Sequence, residues 1–289
     1  MEELIKLDDM DGFKGICLDQ NKILIWAGHI AEWLNNCMGQ FSVDDALLNK
    51  AGKRMDDADD MLESVRNGGI YKGSRLDRAK YMFVKGYFMS GVAAYQRQNT
   101  FTHLPAEGYS FGESIQLHKE AMGYYEKGIK LLRKEKDRIL IKGARRLIAD
   151  DLSDLGKAYY QMGWGETFRK EDELYGYELH VRAYKLRKAY SPEPSRMAEN
   201  LIYMAKTLVE AYKLDESTSK KRPQTMKMIK CLNESISLKK PEYDPYGLMD
   251  SALKQIKDII PKSTPEEKEA FEVLELKYRE IMNQERLRW

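Results

Sequence analysis

Residues 155–163 read LGKAYYQMG, and residues 90–98 read SGVAAYQRQ. Set side by side, Gly91 matches Gly156, Ala93 matches Ala158, Tyr95 matches Tyr160 and Gln96 matches Gln161. Between the two copies lies AMGYYEKGIKL (121–131), which has a helical pattern yet carries Gly123 and Gly128. Each interior glycine costs a helix about 1 kcal/mol relative to alanine. A helix keeps a small residue where a neighbouring helix comes too close for a larger one. The stretch therefore predicts helix pairs repeated along the chain that approach closely at small residues. For Gly123 that packing gives no reason.

The rest of the chain agrees with helices. Its 289 residues suffice for a large core. A hydrophobic content of 43% with 33% charged residues is a globular profile rather than a disordered one. Val and Thr are scarce while Leu, Ala, Lys, Glu and Met are plentiful, which favours helix over strand. Apolar periodicity predicts ten helices. The first, near 20–38, carries Ile23, Trp26, Ile30, Trp33, Leu34 and Cys37 on one face. The second begins after Ser42, with a stripe of Leu48, Ala51, Met55, Ala58, Leu62 and Val65. The others fall near 74–98, 112–135, 141–162, 171–190, 194–214, 222–238, 246–259 and 265–286. Thr264, Pro265 and Glu267 give the last one a capping box.

These features resemble the tetratricopeptide-repeat (TPR) family over about 75–240. Leu155, Gly156 and Tyr159 match its first-helix pattern, and Ala121 and Tyr125 match its second, with Gly128 at the last small position. Ala183, the turn from Ser191 to Pro194 and Ala198 are similar to the long repeats of kinesin light chains. Met204, Ala205 and Leu208 form a degraded third copy of the first-helix pattern. His180 stands where the repeat has an aromatic. The repeats are longer than the usual ~34 residues and carry insertions at 99–111 and 163–175. The resemblance implies an all-α fold of antiparallel helix pairs stacked as a right-handed solenoid. Residues 1–70 would form an N-terminal helical cap, 71–240 the repeat region, and 241–289 the C-terminal capping helices. It also implies a concave groove lined by one face of each first helix. Lys85, Phe88, Tyr95 and Gln96 would line it from one copy, and Ser153, Lys157, Tyr160 and Gln161 from the next. Glu199, Lys206 and Glu210 would follow.

Motifs that carry chemistry are few. GYSFG (108–112) has the G-x-S-x-G spacing of a hydrolase nucleophile elbow, but no strand precedes it. Ser110 and Glu113 also make a helix cap, which accounts for the serine without catalysis. His29, His103, His118 and His180 form no H-x-x-x-H unit, and Cys17, Cys37 and Cys231 are widely spaced. No metal, cofactor or catalytic residue is assigned. The cluster Asp56, Asp57, Asp59 and Asp60 reads as a solvated face. The inserted loops at 97–111 and 163–176 expose aromatics that either touch a partner or fold back onto the helices.

The net charge of +2 hides an asymmetry, with 14 acidic and 6 basic residues in 1–65. No dense basic helix points to nucleic acid. No apolar run reaches the ~20 residues of a membrane span, and MEELIKLDDMDG is no signal peptide. The expectation is a cytoplasmic, non-enzymatic scaffold that captures a protein or peptide partner through the groove and regulates it. It would act as an adaptor, a chaperone, or an antagonist of a cognate bacterial effector or toxin. The alternative is a TPR-type bacterial peptide-pheromone receptor, and a third reading is a serine hydrolase through Ser110.

Overall fold

The computed structural model describes residue 31 and residues 45–67, 75–102, 111–132, 137–162, 169–214, 223–238 and 247–286. They form nine α-helices and no strand among the described residues. The helices are α1 (Asp45–Asn67), α2 (Arg75–Thr102), α3 (Phe111–Leu131), α4 (Arg138–Met162), α5 (Lys170–Tyr190), α6 (Pro194–Lys213), α7 (Thr225–Leu238), α8 (Leu248–Ile259) and α9 (Pro265–Arg286). A short 3-10 turn (Ile260–Lys262) joins α8 to α9. Nine of the ten expected helices are present with ends within a few residues. The expected helix near 20–38, with Cys17, Cys37 and His29, lies outside the described residues apart from Ala31, as do Gly108, Tyr109 and Ser110 of GYSFG and His103. The chain divides into two compact units, residues 1–151 and 152–289. The division falls inside α4, a place that the sequence patterns do not mark.

In the first unit α2 and α3 run antiparallel, and small residues let them touch. A Cβ at Gly86 would meet the Tyr125 ring at 2.6 Å, and one at Gly128 would collide with the Phe83 ring. Ala121, Tyr125 and Gly128 are all buried, as the pattern in AMGYYEKGIKL requires. Gly123 is different: a Cβ there meets nothing within 4 Å. Ser114, on the same face of α3, donates to the Ala93 carbonyl at 2.8 Å. His118 reaches from α3 to Asp151 on α4, with Nδ1 and Oδ1 2.6 Å apart and both side chains buried.

The second unit repeats the device. A Cβ at Gly156 on α4 would lie 2.6 Å from Nε2 of His180 on α5, and Gly176 sits against the Gly156 carbonyl. Ala183, one turn beyond His180, is fully buried. Small residue, ring and small residue thus recur at one spacing: Ala121, Tyr125, Gly128, then Gly176, His180, Ala183. In each unit a glycine thus stands against a ring on the next helix, Gly86 against Tyr125 and Gly156 against His180.

After α5, Pro194 opens α6 at its first turn, where a missing N–H costs nothing. Helix α6 is the centre of the second unit. Leu201, Ile202, Ala205, Leu208 and Val209 pack with Met228, Ile229 and Leu232 of α7, with Leu253 and Ile256 of α8, and with Phe271, Leu274 and Tyr278 of α9. The α9 cap is formed as its sequence predicts. The Glu267 N–H donates to Thr264 Oγ1 at 3.2 Å, and the Thr264 N–H donates to Glu267 Oε2 at 2.9 Å. The other oxygen of Glu267 accepts the Met226 N–H of α7 at 3.2 Å. Thr264→Ala is expected to lower stability by about 1 kcal/mol, a typical cap loss, read from urea unfolding.

Candidate functional site

Ser153, Lys157 and Tyr160 recur at helical spacing along one face of α4, and Glu199, Lys206 and Glu210 do so along α6. The structure brings these two rows together in the second unit. Lys157 Nζ pairs with Glu199 Oε1 at 2.7 Å and with Asp154 Oδ1 at 3.2 Å, and it lies 5.6 Å from the Tyr203 ring centre. Burial works to raise the Glu199 pKa. The Lys157 ammonium more than offsets it and holds the carboxylate below its ordinary value. Lys206 is 5% exposed; its Nζ donates to Ser251 Oγ of α8 at 3.1 Å and stands 5.1 Å from the Tyr160 ring centre. Tyr160 and Tyr203 meet edge to face at 5.8 Å. A buried ammonium over an aromatic face is held by the ring quadrupole as well as by its hydrogen bonds.

Tyr160 and Glu210 are linked from α8. Gln255 Nε2 donates to the Tyr160 hydroxyl at 2.9 Å and to Glu210 Oε1 at 3.2 Å. Lys213 reaches the same Glu210 oxygen at 3.1 Å. Burial pushes the Tyr160 hydroxyl well above its usual range. Ser153 donates to Asn200 Oδ1 at 2.8 Å, and His180 Nδ1 lies 3.3 Å from the same oxygen. The His180 ring stacks on Tyr203 at 5.1 Å. Burial drives its pKa down to about 4, against the opposing pull of the Asn200 bond, so the imidazole is neutral at physiological pH.

Gln161 is partly buried on α4. The four residues expected from α2 lie in the first unit. Phe88 and Tyr95 are buried at 6% and 3% exposure, much as Lys157, Tyr160 and Lys206 are in the second unit at 7%, 3% and 5%. Lys85 lies over the Tyr124 ring of α3 at 5.5 Å, and Gln96 is partly buried.

Sequence reading missed Asn200, Tyr203, Ser251, Gln255 and above all Glu173. Glu173 is 1% exposed on α5, and neither carboxyl oxygen has a hydrogen-bond partner among the described residues. Burial, then the charges of Glu210 and Asp172, raise its pKa to about 8. The sequence did hold a signal. Glu173 occupies the same inward stripe of α5 as Gly176, His180, Ala183 and Arg187, where an acid breaks the pattern.

Among the described residues no group of three or more His, Cys, Asp or Glu could hold a metal ion, and no helix is long and apolar enough to cross a membrane. No protein-family model matches the chain, and neither a curated protein nor a solved structure does.

Proposed function

We propose that this chain is a non-enzymatic scaffold of TPR-like helix pairs that captures one protein partner and regulates it, acting in the cytoplasm as an adaptor, an antagonist of a bacterial effector or toxin, or a chaperone. In this reading the pairs stack as a right-handed solenoid over 71–240, with 1–70 and 241–289 as caps. The observation that carries the reading is the repeated interlock of a glycine on one helix with a ring on the next, Gly86 with Tyr125 and Gly156 with His180. Such an interlock lets successive helix pairs share one geometry, and stacked pairs present side chains in rows to an extended or helical ligand. The rows on α4 and α6 supply mixed charge and aromatic faces: Lys157 with Glu199, and Lys206 over Tyr160. Interfaces draw their binding energy from groups of this kind.

Affinity capture with the full chain, followed by mass spectrometry, tests the reading. One stoichiometric protein is the expected result; a short peptide in its place favours the pheromone-receptor alternative. With the partner in hand, Lys206→Met is expected to weaken binding about tenfold or more, as loss of a well-placed charged contact does. Its thermal melt serves as the control for folding. Unchanged affinity in a folded Lys206→Met variant would remove the groove from consideration and direct attention to loops 97–111 and 163–176.

A further inference from the structure

The second unit holds a buried carboxyl group without a partner among the described residues. Glu173 is buried from water, and neither of its oxygens has a partner among the described residues. Leaving such a group buried and unmade costs the folded state 1–3 kcal/mol by general expectation, about as much as a net hydrogen bond gains or more. Natural structures keep few such groups, and each asks for a cause. The groups facing Glu173 from the neighbouring helices sharpen the question. On its own helix stands Asp172; from α6 comes Glu210; from α4 comes the Tyr160 hydroxyl. Two lysines border the cluster: Lys206 is held over the Tyr160 ring and bonded to Ser251, and Lys213 pairs with Glu210. Gln255 of α8 completes the frame, and its Oε1 is likewise buried without a donor. The frame thus gathers oxygens rather than cations: the unpartnered carboxyl of Glu173 and the amide oxygen of Gln255, next to the carboxylate of Glu210.

We propose that the Glu173–Glu210 pair, framed by Tyr160 and Gln255, is a receptor for one arginine side chain of the partner polypeptide. The proposal rests on the protein-binding reading above and names the chemistry of its contact. A guanidinium matches the frame because it offers five N–H donors in a fixed planar fork and accepts nothing. Two of its donors would serve Glu173 side by side, the bidentate geometry that makes arginine–carboxylate pairs strong. A third reaches Gln255 Oε1, and its charge faces Glu210. A lysine ammonium has three donors on a point and cannot lie flat across separated acceptors. Gln255 is the side chain that must move for entry, since its amide nitrogen now occupies Tyr160 and Glu210. It is tied by two hydrogen bonds only, and a guanidinium arriving at Glu210 replaces the donor it withdraws.

Binding then carries a proton signature. A carboxyl held in the neutral form by burial and by Glu210 loses its proton when a permanent cation is placed against it. The proton goes to solvent, and the charged pair remains. Affinity for arginine therefore rises with pH up to the midpoint of Glu173 and is flat beyond it.

The test uses the full chain with its glutamate side-chain carboxyls labelled with carbon-13. The Glu173 resonance is assigned by its loss in Glu173→Gln, and its titration is followed with N-acetyl-arginine amide, N-acetyl-lysine amide or N-acetyl-citrulline amide in excess. Arginine amide is expected to lower the Glu173 midpoint by about one pH unit, a tenfold linkage. Glu210→Gln is expected to diminish that shift. A midpoint that arginine amide leaves in place, or that neutral citrulline amide moves equally, overturns the proposal, and so does a larger shift with lysine amide. The two readings fail separately. If the midpoint stays put while the chain still captures a stoichiometric protein, the receptor is wrong and the scaffold stands. A shift with arginine amide in a chain that captures no protein keeps the receptor and removes the scaffold.

Discussion

Glu173→Gln is expected to stabilise the protein by an amount that grows with pH, from nothing near pH 4 to on the order of 3 kcal/mol at pH 7. The sign follows from the raised pKa. The group titrates about pH 8 in the folded protein against 4.5 for an ordinary glutamate. Below 4.5 both folded and unfolded chains hold the proton, so the stability tied to this group is fully present. Between 4.5 and 8 only the unfolded chain ionises, and the folded state loses about 1.4 kcal/mol for each pH unit. Above 8 the loss is complete and no longer changes. Glutamine has the shape of the neutral acid and no charge to gain, so the variant escapes this loss. His180 works in the opposite direction. Its folded pKa of about 4 lies under the ordinary 6.5, so its stability is present above 6.5 and lost as pH falls towards 4. In the wild type the two slopes offset each other between about pH 4.5 and 6.5. In Glu173→Gln the histidine slope is left alone, and stability should rise through that interval and then level. Urea unfolding of both proteins at pH 4, 5.5 and 7.5 checks it; a pH-independent difference would show that Glu173 is ionised in the fold.

Gly156→Ala is the second large effect. The added methyl would sit 2.6 Å from His180 Nε2, and the ring has little room to retreat because it stacks on Tyr203 and meets Asn200. Overpacking of this kind costs about 1–3 kcal/mol, more than the ~1 kcal/mol that alanine returns in helix propensity. Gly123→Ala is the contrasting case. With nothing within 4 Å of its Cβ, the variant keeps the propensity gain and is expected to be more stable by about 1 kcal/mol. Thermal melts should therefore move in opposite directions for the same chemical change. Adding His180→Ala to Gly156→Ala should recover part of the loss, because it removes the atoms in collision. If Gly156→Ala melts above the wild type, helices α4 and α5 do not meet as described.

Much of the helical layout was legible because helices announce themselves locally. Pro194, the Thr264–Glu267 box and the apolar stripes fix helix positions from residues a few places apart. The small-residue positions at Ala121 and Gly128 were legible for the same reason. Which ring each glycine meets was not, because Tyr125 and His180 stand across the gap on the next helix, tens of residues away from Gly86 and Gly156 in the sequence. The site was half legible. Lys157, Tyr160, Glu199, Lys206 and Glu210 lie in rows that a helical period exposes. Gln255 joins them from α8, about 95 residues from Tyr160 along the chain, and no local pattern carries a contact of that span. Phe88 and Tyr95 were placed in the groove by the resemblance, and like Tyr160 they are buried.

The single carboxylate of Glu267 has a dynamic consequence. One oxygen closes the first turn of α9, and the other holds the first turn of α7. Fraying at either helix start therefore withdraws the ligand of the other. The amides of Thr264 and Met226, 38 residues apart, are coupled in opening although no backbone bond joins them. Slow hydrogen exchange at one implies slow exchange at the other. The terminal helix thus melts with the helix beneath it, as one cooperative segment rather than as a loose end.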